Sequence, residues 1–286
     1  MKITRVCILG GSGFVGHHLV SKLAGMGIHC HILTRHPGRH KDLSLLPGTQ
    51  LLKANIFDQN CLERHFSDCE AVINLVGILN EGRNPQGFQR AHVSLVDGVV
   101  DACRATGVRR LLHMSALNAD QERGPSHYLF TKGEGENHAH NRSQPEIQVT
   151  SFRPSVIFGP GDSFFNRFAR LLSLLPAPFP LACPDARFAP VYVGDVAEAF
   201  AQALMHSATY GQRYDLCGPR TFTLEQLVRY TADGLGLVRP IIRLNDSLSQ
   251  LQAKLLGRRR TRMPDKLVHA VAQRHIGRPF QRGRVL

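Results

Sequence analysis

The chain has 286 residues and a net charge of +13, with 35 Lys and Arg against 22 Asp and Glu; 43% of its residues are hydrophobic and 20% charged. That composition excludes a disordered chain, and no apolar run approaches the ~20 residues a membrane-spanning helix needs. The excess charge sits at one end: residues 1–238 carry 23 basic and 20 acidic side chains, whereas residues 239–286 carry 12 and 2. A near-neutral globule with a basic end is expected, which argues against nucleic-acid binding by the whole domain. Seven cysteines, odd in number and without a Cys-x-x-Cys pair, read as reduced thiols of a cytoplasmic protein. The start MKITRVCILG enters an apolar run directly, with no signal-peptide core or presequence pattern.

In chain order, strand-like runs at Ile3–Leu9, His29–Leu33, Gln50–Lys53, Ala71–Val76, Arg110–Met114 and Gln148–Phe152 alternate with helical patterns. Those patterns cover Val15–Gly25, Gln59–Phe66, Phe88–Thr106 and Tyr128–Asn141. Short strands spaced by helices predict an α/β fold with a doubly wound parallel sheet. After Phe152, prolines at 154, 160, 176, 178, 180 and 184 break an apolar stretch that cannot run as one helix. The pattern then returns to a strand at Val191 and a helix over Val196–His206, with Asp195 its expected cap. A strand near Tyr214 follows, then a helix opened by Thr223 with Glu225 and Gln226 in its first turn.

The segment Gly10-Gly11-Ser12-Gly13-Phe14-Val15-Gly16 joins the first strand to the first helix. Gly10 permits a tight turn, Gly13 lets backbone approach a pyrophosphate, and Gly16 lets helix pack on strand. The free N–H groups and positive end of the helix would hold the anion, so Gly10, Ser12, Gly13, Phe14, Val15 and Gly16 form the expected dinucleotide turn. The second strand ends Leu33-Thr34-Arg35-His36, with Arg39 close by and no acid before Asp42. An acid there would bind ribose hydroxyls and repel a 2′-phosphate, whereas a guanidinium can clamp one. Arg35 therefore favours NADP(H) over NAD(H), the alternative being a solvated basic loop.

Tyr128-Leu129-Phe130-Thr131-Lys132 is Tyr-x-x-x-Lys, which on a helix puts the ammonium beside the phenol. A neighbouring cation favours phenolate, as proton transfer would require, although Tyr and Lys four apart also occur by chance.

With these motifs in place, the chain resembles the short-chain dehydrogenase/reductase superfamily, in its extended, atypical branch. The likeness runs from about Ile3 to about Val228 and rests on GGSGFVG, Asn74-Leu75-Val76-Gly77, HMSAL, YLFTK, Arg153-Pro154-Ser155, FGPG at Phe158–Gly161 and Pro190–Ala197. Within that branch, VINLVGIL, RPSVIFGPGDSFFNRF and PVYVGDVAEA are most similar to bacterial relatives of the nucleotide-binding accessory subunit of mitochondrial respiratory complex I. The resemblance implies a Rossmann-type fold with a small C-terminal substrate lobe. A domain over 1–240, its lobe mainly within 160–240, would precede a basic segment over 241–286. It also implies that Asn55 and Ile56 line the adenine side, Asn55 standing where many relatives carry Asp. Val76 and Gly77 would line the adenosine, Tyr128 and Lys132 would meet the nicotinamide ribose, and Pro154, Ser155 and Val156 would flank the nicotinamide. Active members place a Ser or Thr beside the tyrosine; alignment at the fifth strand puts that slot on Ala116, with Ser115, the candidate carbonyl orienter beside catalytic Tyr128 and Lys132, one residue earlier. Gly133 and Gly135 are expected to weaken the helix carrying Lys132.

Fifteen histidines cluster only at His17–His18, His29/His31 and His138/His140, without a cysteine or carboxylate complement at metal-ligand spacing, so no metal is expected. Phe164–Leu175 reads either as an amphipathic core helix or as an apolar lid over a greasy substrate or membrane. The basic end joins Lys254, Arg258, Arg259, Arg260 and Arg262 to helically spaced Leu248, Leu251 and Leu255. A solvated tail and docking to an anionic membrane or a respiratory-complex partner are both open readings; nucleic acid is disfavoured for want of a recognition motif.

Three functional expectations follow. The first is an NADP(H)-binding oxidoreductase on an apolar carbonyl or quinone-like compound, in the cytoplasm or peripheral on its membrane. The second is a non-catalytic nucleotide-binding structural or redox-sensing subunit, and the third, a sugar-nucleotide epimerase or dehydratase, is disfavoured.

Overall fold

A computed structural model describes residues 3–81, 86–175 and 177–244. The chain divides into two compact units, one of Met1–Ser155 and Val191–Cys217, the other of Val156–Pro190 and Gly218–Leu286.

The first unit is built on β1 (Arg5–Leu9), α1 (Phe14–Gly25), β2 (His29–Thr34), β3 (Thr49–Lys53), α2 (Gln59–Phe66) and β4 (Ala71–Asn74). A short α3 (Gly87–Gln89) then runs through a π-helical turn, Arg90–Ser94, into α4 (Leu95–Thr106), followed by β5 (Arg110–Met114), α5 (His127–Ser143) and β6 (Gln148–Pro154). The second unit supplies β7 (Ile157–Phe158), α6 (Phe164–Leu174), β8 (Phe179–Leu181) and β9 (Arg187–Phe188). The chain re-enters the first unit as β10 (Val191–Tyr192), α7 (Val193–Met205) and β11 (Arg213–Leu216). It closes the second with β12 (Phe222–Thr223), α8 (Leu224–Gly234) and β13 (Ile241–Arg243).

Seven strands form one parallel sheet in the order β11-β6-β5-β4-β1-β2-β3, the doubly wound arrangement expected from the alternating pattern. Order reverses beside β1, so the crevice at a switch point opens over the carboxyl ends of β1 and β4. Covered on both faces, the central strands β1 and β4 are buried almost throughout, whereas the edge strands β3 and β11 carry exposed polar residues. Cys7, Leu9, Leu33, Val72, Leu111 and Val149 share one core with Leu62 and Phe66 of α2 and Val96, Val99, Val100 and Cys103 of α4. Alternate residues face the other way, where Phe152 of β6 lies 4.4 Å from Phe200 of α7, ring to ring. All seven cysteines are free. Burial pushes the Cys30 thiol up to about 12 and raises Cys7 and Cys103 as well, so these are inert packing groups.

In the second unit α6 and α8 close over Leu172, Phe179, Leu181, Val228 and Ala232. Thr223 opens α8 with a complete capping box: its hydroxyl accepts from Gln226 N–H, and the Gln226 side chain accepts from Thr223 N–H. β13 pairs in parallel with β8, which places a strand after residue 240. The basic segment beyond Leu244 lies outside the described residues. Helix α7 starts at Val193, not Val196, which makes Asp195 a first-turn residue rather than the cap. Among the described residues no helix is long and apolar enough to cross a membrane.

One buried cation ties the sheet together. Arg110 is 1% exposed, and among the described residues it has no carboxylate within ion-pair distance. Its Nη1 donates to Gln148 O, and its Nη2 donates to Thr150 Oγ1, Ala203 O and Thr209 Oγ1 at 2.8–2.9 Å. The guanidinium also lies 4.6 Å from the Tyr210 ring. It thus satisfies a carbonyl in the last turn of α7, where a positive charge is favoured. Arg110→Met should cost on the order of 3 kcal/mol, because it strands several buried acceptors at once. Urea unfolding measures this, and a loss below about 1 kcal/mol would reject the role.

Candidate functional site

The glycine turn has the geometry its sequence implies. Gly10 adopts φ +78°, and a Cβ there would lie 3.1–3.3 Å from Leu75 and Val76, so the turn abuts the segment after β4. A Cβ on Gly16 would come within 2.3 Å of the Gly11 carbonyl oxygen, a contact no side chain permits. Helix α1 starts on Gly13 with no side-chain cap and no acid in its first turn. Its leading N–H groups, on Phe14, Val15 and Gly16, are therefore left for an anion. The residues present fit a dinucleotide pyrophosphate at this turn.

Ser12 Oγ reaches Thr34 Oγ1 at 3.5 Å and so joins the turn to the end of β2. Beyond Thr34 the surface forms a shallow, open depression lined by Arg35, His36, Pro37, Gly38, Arg39 and Lys53, its three cations exposed. Lys53 arrives through strand register, since β2 and β3 pair Thr34 with Lys53. Among the described residues none of Arg35, Arg39 and Lys53 has a carboxylate within ion-pair distance. The nearest acid in sequence, Asp42, is engaged by His17 Nε2 at 3.2 Å. Asn55 is exposed and its Oδ1 accepts from Phe57 N–H; Ile56, beside it, packs on the core.

At the ends of β4 and β5 the structure gathers Val76, Gly77, Ser115, Tyr128 and Lys132. Asn74, 1% exposed, fixes the turn after β4: its Oδ1 accepts from Val76 N–H, leaving Nδ2 to donate to His113 Nδ1 at 3.4 Å. The His113 proton must then sit on Nε2, which has no partner. Lys132, 3% exposed, donates from Nζ to Met114 O at 2.5 Å, and a Cβ on Gly77 would lie 3.8 Å from that ammonium. Burial lowers the Lys132 pKa to about 8, with Glu136 opposing, and raises that of Tyr128. Desolvation governs the Tyr128 phenol here, while the Lys132 ammonium engages the Met114 carbonyl. Ser115 continues the pairing of β5, its N–H donating to Phe152 O at 2.7 Å, but its buried Oγ has no partner and is not joined to Tyr128. Ala116 is also buried. Pro154 ends β6, where its carbonyl accepts from Leu117 N–H, and Ser155 N–H donates to Leu216 O; Val156 opens the second unit.

Sequence reasoning gave no site role to three residues here. Glu136 and His140 continue the i+4 row of Tyr128 and Lys132 along α5, a signal that was there to read. Glu136 is 0% exposed, accepts from Arg153 Nε at 2.9 Å and pairs with Arg213 Nε at 3.2 Å. His140 Nε2 meets Ser151 Oγ at 3.0 Å. His92, on the π-helical turn, had no such signal. The histidine doublets disperse: His17 meets Asp42, His138 meets Asp97 and His31 faces Cys69. Among the described residues no group of three or more His, Cys, Asp or Glu could hold a metal.

Comparison with known proteins gives a consistent result. The model of the NAD dependent epimerase/dehydratase family matches residues 6–217. The mitochondrial NADH dehydrogenase (ubiquinone) 1 alpha subcomplex subunit 9 of Rattus norvegicus is 30% identical over 78% of this chain, which spans only 59% of that relative's length. A ceramide reductase of Caulobacter vibrioides is 28% identical over 84% of this chain and 74% of its own. Among solved structures, the Thermus thermophilus UDP-glucose 4-epimerase complex with NAD superposes with a TM-score of 0.71, covering 94% of this chain and 98% of its own at 22% identity. That last likeness concerns the fold.

The buried histidines make a testable acid dependence. Burial, reinforced by neighbouring cations, lowers His140 to about 4 and His92 to about 3, and holds His113 well below 6.5. In the unfolded chain each would titrate near 6.5, so below that pH the unfolded state binds more protons. Their stabilisation is complete above pH 6.5 and is lost as pH falls toward the folded values. His140 alone should contribute on the order of 3 kcal/mol to the loss between pH 6.5 and 4. His140→Gln should flatten the pH dependence of thermal unfolding over that window; an unchanged slope would remove His140 from the account.

Proposed function

The chain belongs to the NAD dependent epimerase/dehydratase family, and from that premise we propose that it is an NADP(H)-preferring oxidoreductase acting on an apolar carbonyl or quinone-like compound. The observation that carries the cofactor preference is the exposed cluster of Arg35, Arg39 and Lys53 at the ends of β2 and β3. Three cations without carboxylate partners suit a phosphomonoester dianion, and paired N–H donors of a guanidinium suit its oxygens. The nicotinamide supplies hydride chemistry when bound. Tyr128 would then donate a proton to the oxygen of the carbonyl that receives the hydride, while Lys132 would hold positive charge near the ribose.

An apolar substrate is supported from the second unit. Phe164 contacts Phe165, Phe168 and Phe188 with ring centroids 5.2–5.7 Å apart, and all four remain half-buried rather than sealed. Helix α6 is also partly core, since Leu172 is fully buried while Leu174 is exposed. The relative named ceramide reductase points the same way. The second reading, a nucleotide-binding subunit without turnover, is favoured by the Ser115 hydroxyl that does not meet Tyr128 and by the likeness to a subunit of a larger dehydrogenase. A quinone-related or respiratory role stays part of this reading, with the basic segment after Leu244 docking on an anionic membrane or a partner protein.

Three measurements separate these possibilities. Fluorescence titration should show NADPH binding at least about ten-fold tighter than NADH, and Arg35→Ala with Arg39→Ala should erase the difference; tighter NADH binding rejects the preference. Oxidation of bound NADPH by long-chain carbonyls or quinones, lost in Tyr128→Phe, would support turnover, and inertness across the panel would favour the structural reading. Sedimentation with phosphatidylserine vesicles should depend on salt and vanish in a chain ending at Leu244, which keeps β13; equal sedimentation would remove membrane docking.

A further inference from the structure

His92 takes no part in the chemistry outlined above, yet it lies at the centre of the site. It is 1% exposed and sits on the π-helical turn Arg90–Ser94, which widens the helix and carries the ring toward α5. The backbone there approaches α5 so closely that a Cβ on Gly135 would fall 1.8 Å from His92 O. Both ring nitrogens are used. Nε2 lies 3.2 Å from Ile78 N and Nδ1 3.0 Å from Thr131 Oγ1. The Thr131 hydroxyl is placed to give its own proton to a carbonyl of α5, His127 O at 2.9 Å or Tyr128 O at 3.1 Å, so toward His92 it accepts. His92 therefore donates from Nδ1 and receives the Ile78 N–H on Nε2, which fixes a single neutral tautomer. The ring also stacks on Phe88 at 5.3 Å and meets Tyr128 edge to face at 5.4 Å, with an interplanar angle of 83°.

We propose that His92 is a positioning residue: as one fixed neutral tautomer it locks the turn Val76–Ile78 to the helix that carries Tyr128 and Lys132. The inference rests on the cofactor reading only for what the turn faces. The lock itself concerns this chain alone. Gly77 supports it, because a Cβ there would lie 3.8 Å from Lys132 Nζ and 4.0 Å from His92 Nε2, so ammonium and imidazole flank one residue of that turn. Burial and the Lys132 charge keep the ring neutral, which preserves the acceptor that Ile78 requires.

Two substitutions divide the ring's bonds from its bulk. His92→Phe keeps the aromatic volume but removes the acceptor, whereas His92→Gln can place an amide oxygen near the site of Nε2. In the nucleotide-free full chain, the Ile78 amide should exchange its hydrogen about ten-fold faster in His92→Phe, and within about three-fold of the parent in His92→Gln. NADPH affinity should follow the same order, about ten-fold weaker and about three-fold weaker at most. Thr131→Val, which removes the acceptor for Nδ1–H, should also quicken Ile78 exchange and serves if His92→Phe does not fold. Unchanged Ile78 exchange in His92→Phe or Thr131→Val would overturn the proposal, as would equal loss of NADPH affinity in both His92 variants. If the parent protein binds no dinucleotide, the cofactor reading fails by itself, and exchange at Ile78 still decides whether His92 holds the turn.

Discussion

A buried ammonium sets the terms for this site. Lys132 is almost wholly removed from water, and an unpaired charge in that position would cost several kcal/mol. It is tolerated because Met114 O accepts from Nζ and because Glu136, one helical turn further along α5, is itself buried between Arg153 and Arg213. Helix α5 thus docks on the sheet through polar groups as well as apolar ones. Such contacts add little net stability, but they admit only one register, since a shifted helix would strand every charge in the row.

The same constraint explains the glycines of α5. Gly133 and Gly135 lower intrinsic helix stability, yet each marks a place where other backbone comes closer than any side chain allows. A Cβ on Gly133 would lie 2.5 Å from Asp120 C, and one on Gly135 would overlap His92 O. The helix gives up propensity so that the loop after β5 and the π-helical turn can both close on it. Close approach in turn excludes water from the histidines around Lys132. His92, His113 and His140 are therefore hydrogen-bonding groups of fixed protonation near neutral pH, not titrating ones.

How much of this was legible in the sequence follows from the range of each interaction. Strands and helices were readable because hydrophobic periodicity is local, and the dinucleotide turn was readable because its three glycines each answer a local steric demand. The capping box at Thr223 was readable for the same reason. By contrast, the segment Phe88–Thr106 carries no mark of the π-helical turn that meets α5 at Gly135. The start of α7 was misplaced by three residues because Asp195 looks like a cap wherever it stands near a helix end. Lys53 could not be joined to Arg35, since only the register of β2 on β3 makes them neighbours.

That register also changes what the charge of the chain means. Net charge over residues 1–238 is nearly balanced, which taken alone predicts no strong anion site. Balance in composition is not balance in space. The acids near the end of β2 are spoken for, with Asp42 held by His17, while Glu198 across the same unit holds Lys22. Arg35, Arg39 and Lys53 are left around one open depression whose lining includes no carboxylate. At physiological salt a charge is screened within about 8 Å, so an anion there responds to these three groups and hardly to the acids elsewhere. The local arrangement, not the sum, gathers the three cations at the end of β2, and strand pairing brings Lys53 among them.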